Sequence, residues 1–397
     1  MKEPSSHDPA AESGDGARAH QPELEALIRQ QIAGAGGQLP FDRFMELALY
    51  APGLGYYVAG AEKFGPAGDF VTAPEVSPLF ARCLAAPCRE VLDALGAGDI
   101  LELGAGTGAL AATLLEALSA HGPLPGRYLI LEPSPDLAAR QRELLSARCP
   151  RLLDRCTWLD RLPKCFTGLV LANEVLDAMP VHRFRIGADG TIEEIAVEYD
   201  GERFVEARMP ASPTLAAAVS ALQGEGLATE PGYCSEVNLR LAPWVEAIAE
   251  HMSKGMVLVI DYGYPRRERY LAERKQGTLM CYSRHRSHSD PLQQVGLQDI
   301  TTHVDFTALA EAARAAGLDV AGYTTQSNFL IGCGIDGLIA EAAGNDPAAM
   351  LELSVGAKQL LLPSRMGERF QVMALSRGLP LAESLSGFAV RDLRGRL

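Results

Sequence analysis

Long apolar runs are missing from this sequence, and short ones such as Met256 to Ile260 cannot cross a bilayer. The first residues also lack the apolar core of a secretory signal. Acidic side chains outnumber basic ones there, unlike in a mitochondrial transit peptide. These absences predict no membrane insertion and a cytoplasmic location, which fits better than the mitochondrial matrix.

An excess of positive charge is missing as well. The 397 residues include 36 lysines and arginines against 50 aspartates and glutamates, so the net charge is −14. This balance argues against nucleic acid as a partner, because nucleic-acid-binding surfaces are basic. A small cationic substrate, or a cationic side chain on another protein, fits the sign of the charge better. The sequence carries no signal for an oligomeric state.

The cysteines lack the spacing of a metal site. None of the eight forms a CxxC pair, and no cluster of cysteine and histidine has zinc-site spacing. They are predicted to be free, reduced thiols in a reducing compartment. No metal is predicted.

The first hundred residues favour helices over strands. Residues 1–20 are rich in Ala, Ser, Gly, Asp and Pro, which predicts a disordered tail. Residues 21–96 are predicted to form an N-terminal helical and lid region. Apolar spacing predicts helices over Glu23–Gly34 and Phe41–Leu49.

A third helix is predicted after a glycine-rich segment. Thr72 and Glu75 form a capping-box pattern, which predicts a helix from there to about Leu95. The preceding segment, Gly65 to Phe70, has no evident packing role. We therefore expect it to cover a ligand as a lid.

From Asp99 onward, strands alternate with helices, which is typical of a parallel sheet covered on both faces. Residues 97–397 are predicted to form one α/β domain with a Rossmann-like sheet. An inserted small β region is predicted at about 184–236, with turns at its Asp-Gly pairs. The predicted strands of the sheet are Ile100–Leu103, Tyr128–Leu131, Thr157–Leu159, Gly168–Ala172, Met256–Ile260, Asp319–Thr325 and Phe370–Ala374.

Three alternate glycines, Gly104, Gly106 and Gly108, follow the first of these strands and precede a helix. Such a turn lets the backbone pass close to a ligand, with a helix N-terminus directed at it. With Ala109 the run also satisfies the dinucleotide pattern, so NAD(P) stays open, as does a purely structural turn. Glu102 favours S-adenosylmethionine, because a carboxylate suits an ammonium group and gains nothing beside a pyrophosphate.

Acidic residues follow the next two strands. Glu132 lies where a carboxylate binds both ribose hydroxyls, a feature that S-adenosylmethionine and NAD enzymes share. Asp160 lies where a carboxylate would accept from the adenine amino group. It could equally cap the next segment, so both interpretations stay open.

The fourth strand ends in Asn173, Glu174 and Asp177. The two acids share a face if a helical turn begins here, and two carboxylates can hold a guanidinium by charge-assisted bonds. Glu174 is the first candidate for orienting an acceptor and Asp177 the second. The alternative is helix capping by Asn173 beside ordinary N-terminal acids. Asp69 and His303 are further candidates for closing or lining the site.

Ordered motifs from Phe41 to about Arg377 resemble those of the MidA family, which includes the mitochondrial complex I assembly arginine methyltransferase and many bacterial members. The matching motifs are Tyr50-x-Pro52-x-x-Gly55-Tyr56-Tyr57, Gly68-Asp69-Phe70-Val71-Thr72-Ala73-Pro74-Glu75, Glu102-Leu103-Gly104, Asn173-Glu174-x-x-Asp177-Ala178-x-Pro180, Asp261-Tyr262-Gly263-Tyr264, Asp299-Ile300-Thr301-x-His303-Val304-Asp305-Phe306 and Met366-Gly367-Glu368.

The resemblance implies a class I methyltransferase fold and S-adenosylmethionine as methyl donor, with Asp69 among the cofactor-binding candidates. It also implies an exposed arginine on a protein substrate as acceptor, with a respiratory complex I subunit as one candidate. Two alternatives are an assembly factor that binds S-adenosylmethionine with little turnover and an NAD(P)-dependent oxidoreductase.

Overall fold

The computed structural model describes residues 9–59, 72–283, 286–379 and 385–397, with side chains from residue 20 onward. The chain divides into two compact units, each drawn from several stretches. Unit 1 comprises the described residues of Met1–Val71, Ala178–Asn238 and Leu271–Thr302, and unit 2 comprises Thr72–Asp177, Leu239–Tyr270 and the described residues of His303–Leu397. These boundaries differ from the predicted ones, because residues 72–96 belong with the large sheet and a late stretch belongs with the inserted β region.

The described strands and helices alternate over residues 99–159 and again over residues 204–283, with runs of successive strands or helices between and around them. The strands are β1 Leu39–Pro40, β2 Asp99–Leu103, β3 Tyr128–Leu131, β4 Cys156–Leu159, β5 Phe166–Asn173, β6 His182–Ile186, β7 Ile192–Tyr199, β8 Phe204–Pro210, β9 Cys234–Val237, β10 Met252–Tyr264, β11 Met280–Ser283, β12 Arg286–His288, β13 Asp299–Thr301, β14 Val304–Asp305, β15 Asp319–Thr325 and β16 Phe370–Arg377. The helices are α1 Pro9–Gly34, α2 Phe41–Tyr50, α3 Ala73–Val76, α4 Pro78–Leu95, α5 Ala109–His121, α6 Pro135–Arg148, α7 Pro213–Gly224, α8 Leu241–His251, α9 Arg266–Arg269, α10 Phe306–Ala315, α11 Gln326–Gly332, α12 Ile335–Ala343 and α13 Pro347–Leu361.

Unit 2 is built on a mixed sheet of order β15-β16-β10-β5-β2-β3-β4, with β14 beside β10. The five strands from β10 to β4 are parallel, and β16 pairs antiparallel with both β10 and β15. The central strands are buried along nearly their whole length, as expected for parallel strands covered on both faces. The predicted Rossmann-like sheet is confirmed. Its parallel strands bring the ends of β2, β3, β4, β5 and β10 to one edge.

Several helices and strands in unit 2 begin or end where local sequence signals predict. Strands β3 and β15 have the predicted limits. Helix α6 begins as predicted, since Ser134 Oγ accepts a hydrogen bond from Leu137 N at 3.4 Å and Pro135 occupies the first turn. The capping box of Thr72 and Glu75 also forms.

The single helix predicted from this capping box to about Leu95 was wrong. Helix α3 ends at Val76, and α4 begins at Pro78. Ser77 between them has an extended backbone, with φ −161° and ψ 139°. A residue before proline is pushed out of the helical region, so Pro78 interrupts the first helix while starting the second.

Helix α1 begins at Pro9, so the predicted disordered tail and the predicted start at Glu23 were both wrong where the structure describes the chain. The stretch from Pro9 is rich in alanine, which has the highest helix propensity.

Unit 1 contains the predicted small β region. Strands β1, β7, β6 and β9 pair antiparallel in that order, with β8 on β7, and β12-β11-β13 form a second sheet. The predicted turns follow, since Gly190 and Gly201 have φ of 84° and 106°. Its core is apolar, and the rings of Phe44 and Phe204 lie 6.0 Å apart, edge to face.

All eight cysteines lie in the described stretches, and each is a free thiol, as predicted. Across those stretches, every helix is too short or too polar to span a bilayer.

Candidate active site

The glycine turn after β2 has a backbone that side chains rarely adopt. Gly104, Gly106 and Gly108 have φ of 63°, 54° and 86°. A Cβ at Gly104 would lie 3.6 Å from Val175 Cγ2, which shows that the turn lies against the loop after β5. Three left-handed residues in five need glycine, and they leave the backbone open to a ligand at the N-terminus of α5.

Gln141 on α6 joins the glycine turn to the ends of β3 and β4, and sequence analysis missed it. Its Nε2 donates to Gly106 O at 2.9 Å and to Glu132 Oε2 at 3.0 Å, and its Oε1 accepts from Trp158 Nε1 at 2.9 Å. The side chain is fully buried. Glutamine in a helix with charged neighbours gives no signal of such a role.

Glu132 lies at the predicted strand end. Its Oε1 accepts from Ser134 N at 2.9 Å, and burial raises the pKa of its carboxyl group. Each carboxylate oxygen has a second lone pair, so Glu132 can still accept from two ribose hydroxyls.

Glu102 faces the core beneath this edge. It is 3% exposed, and Tyr128 Oη donates to its Oε2 at 2.6 Å. Burial raises the pKa of Glu102 to about 7, and the bond from Tyr128 opposes that rise. In the described conformation its carboxylate therefore contacts a tyrosine, and its predicted contact with an ammonium group stays a prediction.

The remaining cofactor candidates are less constrained. Asp160 directly follows β4 and is exposed, with an ion pair of 3.0 Å to Arg161 that lowers the pKa of its carboxyl group. Its position at the strand end is compatible with adenine binding. Its carboxylate accepts from the Arg161 side chain rather than from the backbone N–H groups that a helix cap would bind. Asp69 and the segment predicted as a lid lie outside the described residues.

The loop after β5 is not the predicted helical turn. Glu174 has a left-handed backbone, with φ of 53°, and its N donates to Ile260 O at 2.9 Å. Asp177 is 5% exposed, and its N donates to Asp261 Oδ2 at 3.3 Å. The two acids therefore do not share a helical face, and the predicted pair of carboxylates around a guanidinium loses its geometric basis.

Asp261 at the end of β10 explains this difference. Its carboxylate is fully buried, and Oδ2 accepts from the N atoms of Val175, Leu176 and Asp177 at 3.2, 2.8 and 3.3 Å. A single carboxylate thus satisfies donors that a helical turn would direct elsewhere. Burial raises the pKa of Asp261 to about 7, and these bonds oppose the rise. The sequence motif contained Asp261, but only the fold reveals its contacts.

Glu174 is held from one side and open on the other. Its Oε1 accepts from Ala73 N at 3.3 Å and from Asn173 Nδ2 at 3.0 Å, while no described residue donates to Oε2. Burial, with Asp261 nearby, raises the pKa of Glu174 to about 8. Helix α3 also reaches the glycine turn, since Thr107 Oγ1 donates to Glu75 Oε1 at 3.2 Å.

Asn173 adds a second acceptor. Its Oδ1 is buried and lacks a hydrogen-bond partner within the described stretches. Because Nδ2 is committed to Glu174, this oxygen lacks a donor among the described residues and remains available to a bound group. The alternative interpretation of Asn173 as a helix cap does not hold, since the next element after β5 is strand β6.

Comparison with known proteins identifies this arrangement. Residues 83–324 match the family described as "Putative S-adenosyl-L-methionine-dependent methyltransferase". The chain belongs to this family of methyltransferases. A Burkholderia thailandensis crystal structure bound to S-adenosyl-homocysteine is 43% identical, with a TM-score of 0.91 and full coverage of both chains.

Relatives of this methyltransferase include the mitochondrial protein arginine methyltransferase NDUFAF7 of Danio rerio. It is 30% identical over 377 residues, which are 88% of this chain and 86% of the relative. The Homo sapiens protein of the same name is 28% identical over 367 residues, 85% and 80% of the two chains. The predicted MidA-family resemblance, class I fold and S-adenosylmethionine cofactor are confirmed.

The residues of this methyltransferase fit its cofactor. The left-handed glycine turn carries no side chains at the N-terminus of α5, and Glu132 retains acceptor capacity for ribose hydroxyls. The match to a structure holding the demethylated cofactor removes the support for NAD(P).

Proposed function

We propose that this methyltransferase modifies the arginine side chain of a partner protein. The observation that carries the proposal is the acceptor pair beside the glycine turn: Glu174 Oε2, to which no described residue donates, and the buried Asn173 Oδ1. A guanidinium offers five N–H donors in a planar fork and stays protonated at any working pH. The relatives named protein arginine methyltransferases and the net charge of −14 support the same acceptor.

S-adenosylmethionine supplies an electrophilic methyl group on its sulfonium when bound. For its binding we propose the backbone of Gly104, Gly106 and Gly108, with Glu132 at the ribose. We also propose that Asp160 contacts the adenine and that Glu102 lies near the methionine end of the cofactor. Asp69 is carried as a candidate by the family motif alone.

Glu174 would perform two tasks for the acceptor. Its carboxylate orients the guanidinium, and it accepts the proton that the nitrogen loses as the new C–N bond forms. A base is most effective when its pKa lies near the working pH, and the pKa of about 8 for Glu174 satisfies that condition. Asp177 is buried in the loop and would act on its shape rather than on substrate.

The test replaces Glu174 by glutamine. Glu174→Gln keeps the shape but removes the charge and the proton acceptor. The loss of a charge-assisted bond of about 1.5–3 kcal/mol predicts a fall in methyl transfer of about 10- to 150-fold. Affinity for S-adenosyl-homocysteine, measured by calorimetry, should stay near the wild-type value. Glu116→Gln, at an exposed ion pair with Arg148, is the matched control.

Label transfer from S-adenosylmethionine to proteins of a cell extract, followed by amino-acid analysis, identifies the acceptor. Label on methylated arginine supports the proposal. Label on lysine or on a small molecule contradicts it, as does full activity in Glu174→Gln, and either result leaves the methyltransferase assignment intact.

The proposal also includes the identity of the acceptor protein and the location of the enzyme. A respiratory complex I subunit as the acceptor rests on the family resemblance alone. A cytoplasmic location is supported by eight unpaired thiols, which suit a reducing compartment.

A further inference from the structure

An aromatic cluster is formed by the last residues of β10, the strand that carries Asp261, and by the residue that precedes β14. The rings of Tyr262 and His303 lie 6.2 Å apart at an interplanar angle of 8°, and those of Tyr264 and His303 lie 5.2 Å apart. All three side chains are partly exposed. Three half-open rings at the end of a buried strand form a surface suited to a flat, apolar or cationic group.

The cluster is joined to Glu174 through Asp261. Strand register pairs Ile260 with Asn173, so Glu174 and Asp261 follow at adjacent strand ends. Asp261 Oδ1 accepts from Tyr262 N at 2.8 Å, while Oδ2 accepts from the loop after Glu174. Neighbouring strands lie about 4.8 Å apart, so the rings begin within one or two residues of the acceptor pair.

The charges around the cluster favour a cation brought from outside. Arg269 donates from Nε to His303 O at 2.7 Å, and its guanidinium lies over Tyr270, 4.6 Å from that ring centre. Arg266 is paired with Asp305 and Glu311. These nearby arginines are engaged with other groups, while Glu174 and Asp261 bring two carboxyl groups to the positions that follow the paired residues Asn173 and Ile260.

We propose that Tyr262, Tyr264 and His303 form the aromatic wall of the acceptor site and contact one face of the substrate guanidinium, while Glu174 and Asn173 accept its N–H groups. This inference rests on the proposed function and names the residues that would select arginine over lysine. A guanidinium is planar and weakly hydrated, so it stacks on aromatic rings, whereas an ammonium is compact and strongly hydrated.

The test uses His303→Leu and Tyr264→Leu, with His303→Phe and Tyr264→Phe as variants that keep a ring. The substrate is a set of synthetic peptides with one central arginine, and a matched set carries lysine. Each leucine variant should raise KM for the arginine peptides by about 5- to 30-fold with little change in kcat. The phenylalanine variants should stay within about threefold of the wild type. His121→Leu, at an exposed histidine far along the chain, is the control.

A binding measurement separates this inference from the proposed function. N-acetylarginine amide and its neutral counterpart N-acetylcitrulline amide are titrated by NMR into the protein saturated with S-adenosyl-homocysteine, whose affinity also reports folding. Selective arginine binding that both leucine variants lose supports the aromatic wall, even if the wild type fails to methylate arginine. The aromatic wall would be contradicted if both leucine variants kept the wild-type KM and the wild-type affinity for N-acetylarginine amide. If arginine were still methylated, the proposed function would be unaffected.

Discussion

Asp261 offers the sharpest test of how the active-site loop is held. Its two carboxylate oxygens accept four backbone N–H groups, from Val175, Leu176, Asp177 and Tyr262. Asparagine has one oxygen and one NH₂ group in the same space. In Asp261→Asn at least one of these donors must therefore face another donor.

The expected decrease in the free energy of unfolding follows from the more favourable of the two orientations of the asparagine amide in Asp261→Asn. If the amide oxygen keeps its three donors, one buried N–H is left without an acceptor, which costs about 1–3 kcal/mol. The three remaining bonds lose their charge assistance, which about halves their strength. Removal of a buried charge offsets part of this loss, since burial raises the pKa of Asp261 and so disfavours its charged form. We expect a net decrease of about 2–4 kcal/mol in the free energy of unfolding.

Urea unfolding measures this decrease as a lower midpoint at an unchanged m-value. Because the loop carries Glu174, methyl transfer should fall further than affinity for S-adenosyl-homocysteine. Asp319→Asn, at an exposed position on β15, should change the free energy of unfolding by less than about 0.5 kcal/mol. Wild-type stability and turnover in Asp261→Asn would refute the assignment of the loop to this carboxylate.

Two more predictions concern carboxyl groups at the same edge. Glu132→Gln should weaken binding of S-adenosyl-homocysteine by about 10- to 100-fold in calorimetry, because the variant loses charged acceptors. The exposed control Glu143→Gln should bind with wild-type affinity. Equal affinities of Glu132→Gln and the wild type would exclude Glu132 from the cofactor site. The pKa values of Glu102, Glu174 and Asp261 are raised to about 7, 8 and 7, so the folded protein binds more protons than the unfolded chain between about pH 4.5 and 8. The free energy of unfolding of the cofactor-free protein should therefore fall as pH rises through that window, and Glu174→Gln should flatten the slope by up to about 1.4 kcal/mol per pH unit; a rise with pH would contradict the raised values.

Regular elements could be predicted because their signals are local. Strand β3 and the start of α6 depend on an apolar run and on Ser134 followed by proline, and both took the predicted limits. The glycine turn after β2 was equally readable, since its residues need a left-handed backbone. The break at Ser77 could also be predicted, because Pro78 disfavours a helical backbone at the residue before it. The capping box instead led to the prediction of one continuous helix.

The arrangement of the acidic loop could not be predicted, because its cause is remote in sequence. Asp261 lies 84 residues or more from the three N–H groups of the loop that it binds. Spacing of three between Glu174 and Asp177 predicts a shared helical face only when the backbone is helical. The buried carboxylate of Asp261, which the parallel sheet places beside the loop, holds that backbone in a non-helical conformation. We therefore propose Asn173 rather than Asp177 as the second acceptor.

The backbone of Glu174 connects this loop to function. Among the described residues, only Ala228 and Gln294 share its positive φ without being glycine. An L-residue in this conformation costs about 1–2 kcal/mol, and glycine would avoid that cost. A carboxyl group with a raised pKa costs further stability at neutral pH. The strain is held by Ile260 O on one side and by Asp261 on the other. The cost of this backbone conformation and of the raised pKa supports the catalytic role that we propose for Glu174.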